Sequence, residues 1–278
     1  NLKNFLIVNT IMWMNRIILS RKGYDDQYGG KPSVILPDGT MLSFPIPVKP
    51  EKEDGIASGK LTFHGKKLSE YFAELGHKET ELMHHVDPDI YGLAGLKKMG
   101  AFGQCGAALS HLKEVGAGDI FLFFGTFCFT WEENGKLRYE PMHPFHAIYG
   151  YMKVDKKVTI NEIDKADEYS WLKAHPHYIN QARGDCSNNN VIFIGKESGY
   201  FRYTPFLQLT KPGYHKSYWQ LPVAFKGVEM SYHKPGNQKV NGDFIEFTSV
   251  AKGQEFVLSR DPELEKWIIK VLNHKIDQ

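Results

Sequence analysis

Several stretches of this chain carry side chains that can do chemistry. The first reads Arg21-Lys22-Gly23-Tyr24-Asp25-Asp26-Gln27-Tyr28-Gly29-Gly30 and follows an apolar strand pattern, Arg16 to Ser20. Loops at strand ends are frequent places for binding or catalysis on a rigid scaffold. Here Arg21 and Lys22 suit the holding of a phosphate, Asp25 suits a base or an orienting group, and Tyr24 and Tyr28 offer stacking faces. The plainer alternative is a tight turn whose charges are solvated and pair with one another.

The second stretch is Met83-His84-His85-Val86-Asp87-Pro88-Asp89-Ile90-Tyr91. Pro88 disfavours helix at the residue before it, and an extended chain puts His85, Asp87 and Asp89 on one face. A histidine with two carboxylates suits acid–base chemistry or a divalent cation. No separate stretch offers a comparable ligand set at a known spacing, so no metal ligand is assigned. The alternative is a cap, with Asp87 or Asp89 closing the N-terminus of a helix through Tyr91 to Met99.

Gly100-Ala-Phe-Gly-Gln-Cys-Gly106 precedes an apolar stripe of Ala108, Leu109, Leu112 and Val115. It reads as a turn opening a helix, where free amides attract an anion. It lacks the Lys-Ser/Thr of a phosphate-binding loop. The Gln104 amide can read the edge of a base or hold a water, and Cys105 reads as a small buried thiol rather than a nucleophile. His175-Pro176-His177 sets two imidazoles on one side of an extended turn, against a phosphate or base, or else bonded to backbone. Arg202 beside Tyr200, and Trp219 after Lys216, interleave cations with aromatics. That pattern suits nucleic-acid contacts and ordinary cross-strand packing alike. Glu255 opens a late strand, either as a catalytic carboxylate or as a partner for Arg21, Lys22 or Arg202.

These groups must be positioned by a sheet. Asp119 to Phe129 is nearly all apolar and aromatic, the pattern of a central strand covered on both faces. Further strands are expected over Ala147–Val154, Val191–Ile194, Arg202–Leu209, Phe244–Val250 and Gln254–Leu258. A helix over Lys66–Leu75 should end at Gly76. Another opens at Asp261-Pro262, with Leu264, Trp267, Ile268, Val271 and Leu272 on one face. Strands outnumber helices and do not alternate with them. The expectation is therefore an α+β fold, one domain with a mixed, largely antiparallel sheet and flanking helices.

With 278 residues, 42% hydrophobic and 24% charged, the chain has ample length and composition for a globular core. A net charge of +2 calls for no polyanion overall, so any nucleic-acid contact must use a local basic patch. The cysteines Cys105, Cys128 and Cys186 are too scattered for a disulfide framework, which makes a reducing cytoplasm the default. The run Phe5-Leu-Ile-Val8 is too short to span a bilayer, and no membrane partner is expected. Met14 is read as the natural start, with 1–13 an upstream extension and 14–278 the domain.

From Met14 onward the motifs also carry a resemblance. Ile-Leu-Ser-Arg21-Lys-Gly-Tyr-Asp25, Tyr28-Gly-Gly-Lys-Pro-Ser-Val-Ile-Leu-Pro-Asp38-Gly, Asp87-Pro88-Asp89, Gly100 to Ala107, Gly118 to Gly125, His175-Pro-His177 and Gly253-Gln-Glu-Phe-Val257 occur in this order. Together they resemble the third nucleotide-modification-associated domain family. Gly118-Asp119 before one strand, and Phe145 to Gly150 leading into another, are similar to PUA-like and EVE-like barrels, which bind modified bases. The family likeness implies a nucleic-acid setting, in systems that hypermodify or process bases in DNA. The leading reading of the residues within it is an enzyme acting on a nucleobase or nucleotide in DNA, in a base-modification or anti-phage system, by base hydrolysis or group transfer. Asp25, His85, Asp87, Gln104 and Glu255 would then be its catalytic group. Arg21, Lys22, Tyr24, Tyr28, His175, His177, Arg202 and Trp219 would contact nucleic acid. The rival is a non-catalytic reader of modified bases, and a third reading is an enzyme of free nucleotides. Neither a cofactor nor an oligomeric state is named by any of these readings.

Overall fold

The apolar run after Asp119 is the strand around which the rest is assembled. A computed structural model of the chain describes residues 15–25, 27–49, 55–95, 100–182, 189–251 and 253–276. The proposed extension 1–13 and Cys186 lie outside the described residues. The main sheet follows a path of strands β1 (Ile17–Arg21), β2 (Ala101–Cys105), β3 (Ile120–Glu133), β4 (Phe145–Thr159), β5 (Asn190–Tyr200) and β6 (Glu255–Val257). Their spatial order is β6-β1-β3-β4-β5-β2, with the short strands Ser33–Ile35, Met41–Leu42 and Lys136–Tyr139 branching from it. β1 and Ser33–Ile35 run parallel to β3, and the remaining pairs are antiparallel. The fold is α+β with a mixed, largely antiparallel sheet.

β3 buries both faces because apolar residues occupy both phases of its period of two. Phe121, Phe123 and Phe127 enter one core with Phe102, Tyr149 and Phe193. Leu122 and Phe124 enter the other with Trp219, Phe256 and Trp267. Burying each such ring is worth roughly 1.5–3 kcal/mol, so strand order follows where the rings can go. The second core is closed by helix Pro262–Leu272, whose cap Asp261 accepts from the Glu263 and Leu264 amides. The antiparallel pair Tyr218–Pro222 and Phe244–Thr248 covers it as well.

The sheet curls until its outer strands come together. Gln104 of β2 donates from Nε2 to Oε1 of Glu255 in β6 at 2.9 Å, and Lys22 Nζ donates to the same oxygen at 3.0 Å. Among the described residues this seam is bridged by side chains, with no backbone ladder between β2 and β6.

Two segments depart from expectation. Gly100–Gly106 does not open a helix: Ala101–Cys105 is an outer strand antiparallel to Asn190–Ile194, and only the short 3-10 turn Ala108–Leu112 follows. Its glycine serves side-chain packing, since a Cβ on Gly103 would lie 2.3 Å from ring atoms of His177. Arg202–Leu209 does not form a strand. The chain leaves β5 after Tyr200, makes only isolated bridges (Phe201 with Lys275, Arg202 with Thr40, Gln208 with Ala147), and turns at Pro205–Leu207. Pro205 has no N–H to give a ladder. The Leu68–Glu74 helix and the left-handed Gly76 after it, φ +67°, follow the sequence pattern.

Candidate active site

β1 delivers the first wall of a cavity. Its last residue, Arg21, is followed by Lys22, whose amide bonds to Phe124 O at 2.9 Å and so continues the strand's contact with β3. The chain then turns sharply at Gly23, φ +84°. A Cβ there would sit 2.2 Å from Ser43 Oγ, so only glycine fits. The cavity beside this turn holds about 190 Å³. Arg21, Lys22, Asp25 and Tyr28 line it from the β1 side, and His85, Asp87, Gln104 and His177 from the other. Polar stretches far apart in sequence therefore face one hollow.

Asp87 lies at its floor with a side chain only 3% exposed. Both carboxylate oxygens accept from the Gly103 amide, at 3.2 and 3.1 Å. Three imidazoles surround it: His85 Nε2 lies 3.8 Å and His177 Nε2 3.4 Å from Oδ2, and His175 Nε2 lies 3.4 Å from Oδ1. The His175 contact is close but lacks hydrogen-bond geometry. Burial pushes the Asp87 carboxyl upward. The neighbouring imidazoles, His175 first and then His85 and His177, outweigh it and hold the group well below the usual carboxylate range.

His177 is fixed from behind. Its Nδ1 pairs with Asn190 Oδ1 at 2.9 Å, while Asn190 Nδ2 donates to the His177 carbonyl at 2.9 Å. Burial lowers its pKa to about 4, against the opposing pull of Asp87. His84, one residue before His85, faces the opposite way and spends both nitrogens on Ser58 Oγ and Pro45 O. Asp89 also turns away and accepts from the Leu93 and Ala94 amides. The expected trio on one face thus becomes the pair His85 and Asp87, joined by His177 from a distant helix, Pro176–Ala182.

The other singled-out residues fall into three groups. Asp25 lines the cavity, yet its Oδ1 accepts from the Gln27 and Tyr28 amides at 2.8 and 2.9 Å, an Asx turn that shapes the loop. Gln104 lines it too, with Oε1 taken by the Cys105 amide and Nε2 by Glu255. Glu255 itself is fully buried behind Lys22 and Gln104, outside the cavity wall. Tyr24 is buried beneath the loop against Phe44 and Phe72, and His175 is buried behind Asp87. Arg202 is exposed beside Gly39, and Trp219 is buried in the second core, bonded to His146 at 3.1 Å. Neither of these two reaches the cavity lining. Gly103, Asn190 and Tyr149 contribute to the site without having been singled out. Gly103 lies within a stretch read as a turn, and nothing in the sequence points to Asn190 or Tyr149.

An α+β scaffold with a cavity lined by histidines and by charges of both signs is thus in place. Residues 16–259 match the family model of nucleotide modification associated domain 3, and the chain belongs to that family. No curated protein and no solved structure matches it. No helix among the described residues is long and apolar enough to cross a membrane.

Proposed function

We propose that the chain is an enzyme acting on a nucleobase or nucleotide in DNA, within a base-modification or phage-defence system, by glycosidic-bond hydrolysis or group transfer to the base. The observation that carries this reading is Asp87, a carboxylate kept charged by flanking imidazoles at the bottom of a cavity. Burying a charged carboxylate in a hollow costs several kcal/mol unless it is paired, and perturbed acids in clefts cluster at functional sites.

The size of the hollow supports a small occupant. About 190 Å³ falls below the roughly 300–1,000 Å³ of pockets for drug-sized ligands, which suits one base or sugar rather than a whole nucleotide chain. Arg21 and Lys22 at the entrance suit an adjacent phosphate, and Tyr28, 46% exposed at the rim, suits stacking. On duplex DNA the target would be flipped out of the stack, at a cost of a few kcal/mol. Asp87 with its imidazoles is the reacting centre in this account, while Glu255 and Asp25 hold Lys22 and the loop in place.

The test compares Asp87→Asn with Asp25→Asn for binding to modified oligonucleotides and for product formation. Retained binding with lost turnover in Asp87→Asn, and near-normal turnover in Asp25→Asn, supports the enzyme. Unchanged binding together with no turnover by the unaltered chain on any modified DNA makes it a reader instead.

A further inference from the structure

We infer that His85, Asp87 and His177 bind a divalent transition-metal ion at the floor of the cavity. One ligand atom from each of the three lies within 4.8 Å of the others. Metal–ligand bonds of about 2.0–2.1 Å in a tetrahedron give ligand–ligand edges of about 3.3 Å. The separations from Asp87 Oδ2 to His177 Nε2 and His85 Nε2, 3.4 and 3.8 Å, are close to that edge.

The strongest argument concerns which atoms face each other. Asn190 donates its Nδ2 to the His177 carbonyl, so its Oδ1 must be the atom meeting His177 Nδ1, and an oxygen there requires a proton on Nδ1. In the neutral ring, Nε2 is then a bare lone pair. It points at a carboxylate oxygen that is likewise an acceptor, 3.4 Å away. A positive centre relieves that contact, either a proton on Nε2 or a metal ion, and the convergence of three ligand atoms on one point beside the cavity is the geometry of a metal ion. Gly103 adds the usual outer support, a donor to the ligating carboxylate, and Asn190 supplies the partner that fixes the ligating imidazole's tautomer.

Two imidazoles and one carboxylate select a transition ion such as Zn²⁺, Mn²⁺ or Fe²⁺ over Mg²⁺ or Ca²⁺. The three side chains also line the cavity, so further coordination positions face the space a substrate would enter. This inference goes beyond the enzymatic reading and stands on geometry that is independent of the substrate.

The test strips the full chain with a chelator and titrates it with Zn²⁺ by calorimetry, with Co²⁺ absorption as a second readout of coordination. The expected result is one Zn²⁺ per chain, with affinity lowered at least 100-fold in His177→Ala and His85→Ala. Asn190→Ala, acting only through His177, should lower it about 10- to 100-fold. His111→Ala, on the 3-10 turn Ala108–Leu112 and away from the cavity lining, should leave it unchanged. If His177→Ala fails to fold, His85→Ala alone decides, because His85 is the more exposed ligand. Zn²⁺ uptake that is absent in the unaltered chain, or equal in folded His85→Ala, overturns the inference. DNA turnover is scored separately: its absence in the Zn²⁺-loaded chain counts against the enzymatic reading and leaves the metal site standing.

Discussion

Two buried carboxylates in this molecule invite comparison, and their surroundings differ in kind. Glu246 accepts from Lys211 Nζ with both oxygens at 2.9 Å, and from Tyr218 Oη, Gln220 Nε2 and Asn241 Nδ2 at 3.0 Å. Every neighbour there is a donor, and the carboxyl is held down to about 2 by bonding from Lys211 and Asn241, assisted by Gln220 and Tyr218. Asp87 has one backbone donor and three imidazoles at 3.4–3.8 Å, and it opens onto a cavity. A saturated acid ties structure together. An acid ringed by imidazoles and open to a cavity has room for a further partner.

The largest expected effect comes from removing the Asp87 charge. Asp87→Asn should reduce product formation about 100- to 10,000-fold, the usual contribution of a proton-handling group, with oligonucleotide binding retained in a titration by anisotropy. Equal losses of binding and turnover would instead mark Asp87 as a ground-state contact.

Gly103→Ala should come next. The new methyl must displace His177, costing about 1–3 kcal/mol in urea unfolding and removing cavity-dependent activity. Full activity with native stability would show that the ring can move freely, contrary to its bonding with Asn190. Tyr28→Ala should weaken single-stranded DNA binding by about 1–3 kcal/mol through lost base stacking, with little change in melting temperature. Unchanged affinity would move the nucleic-acid path away from this rim.

Glu246→Gln sharpens the contrast from the other side. It should lower the melting temperature by a few degrees while leaving binding and turnover intact, as expected for a group that serves only the small sheet. A selective loss of turnover would undo the distinction between the two acids.

Much of the scaffold was legible because apolar periodicity is a local property. β3 announced itself by an unbroken aromatic run, and the last helix by its Asp-Pro start and apolar stripe. The Gly100–Gly106 stretch was misread because glycine usually signals a turn, whereas here Gly103 makes room for an imidazole from another element. His85, Asp87, Gln104 and His177 were recognisable by residue type and do face one hollow. Asn190 was not, since an asparagine that orients a histidine looks like any other until the fold brings them together. Arg202 and Trp219 show the reverse: suggestive composition, but placement away from the cavity lining.

The side-chain seam between β2 and β6 has one further consequence. A ring of strands fully stitched by backbone would have spent the Gly103 N–H on a neighbouring strand. Left unstitched, that edge could recruit a foreign chain, yet here its amide grips Asp87 and is shielded by the histidines packed over it. An incomplete barrel thereby turns a hazard of sheet architecture into the clamp that holds the acid at the cavity floor.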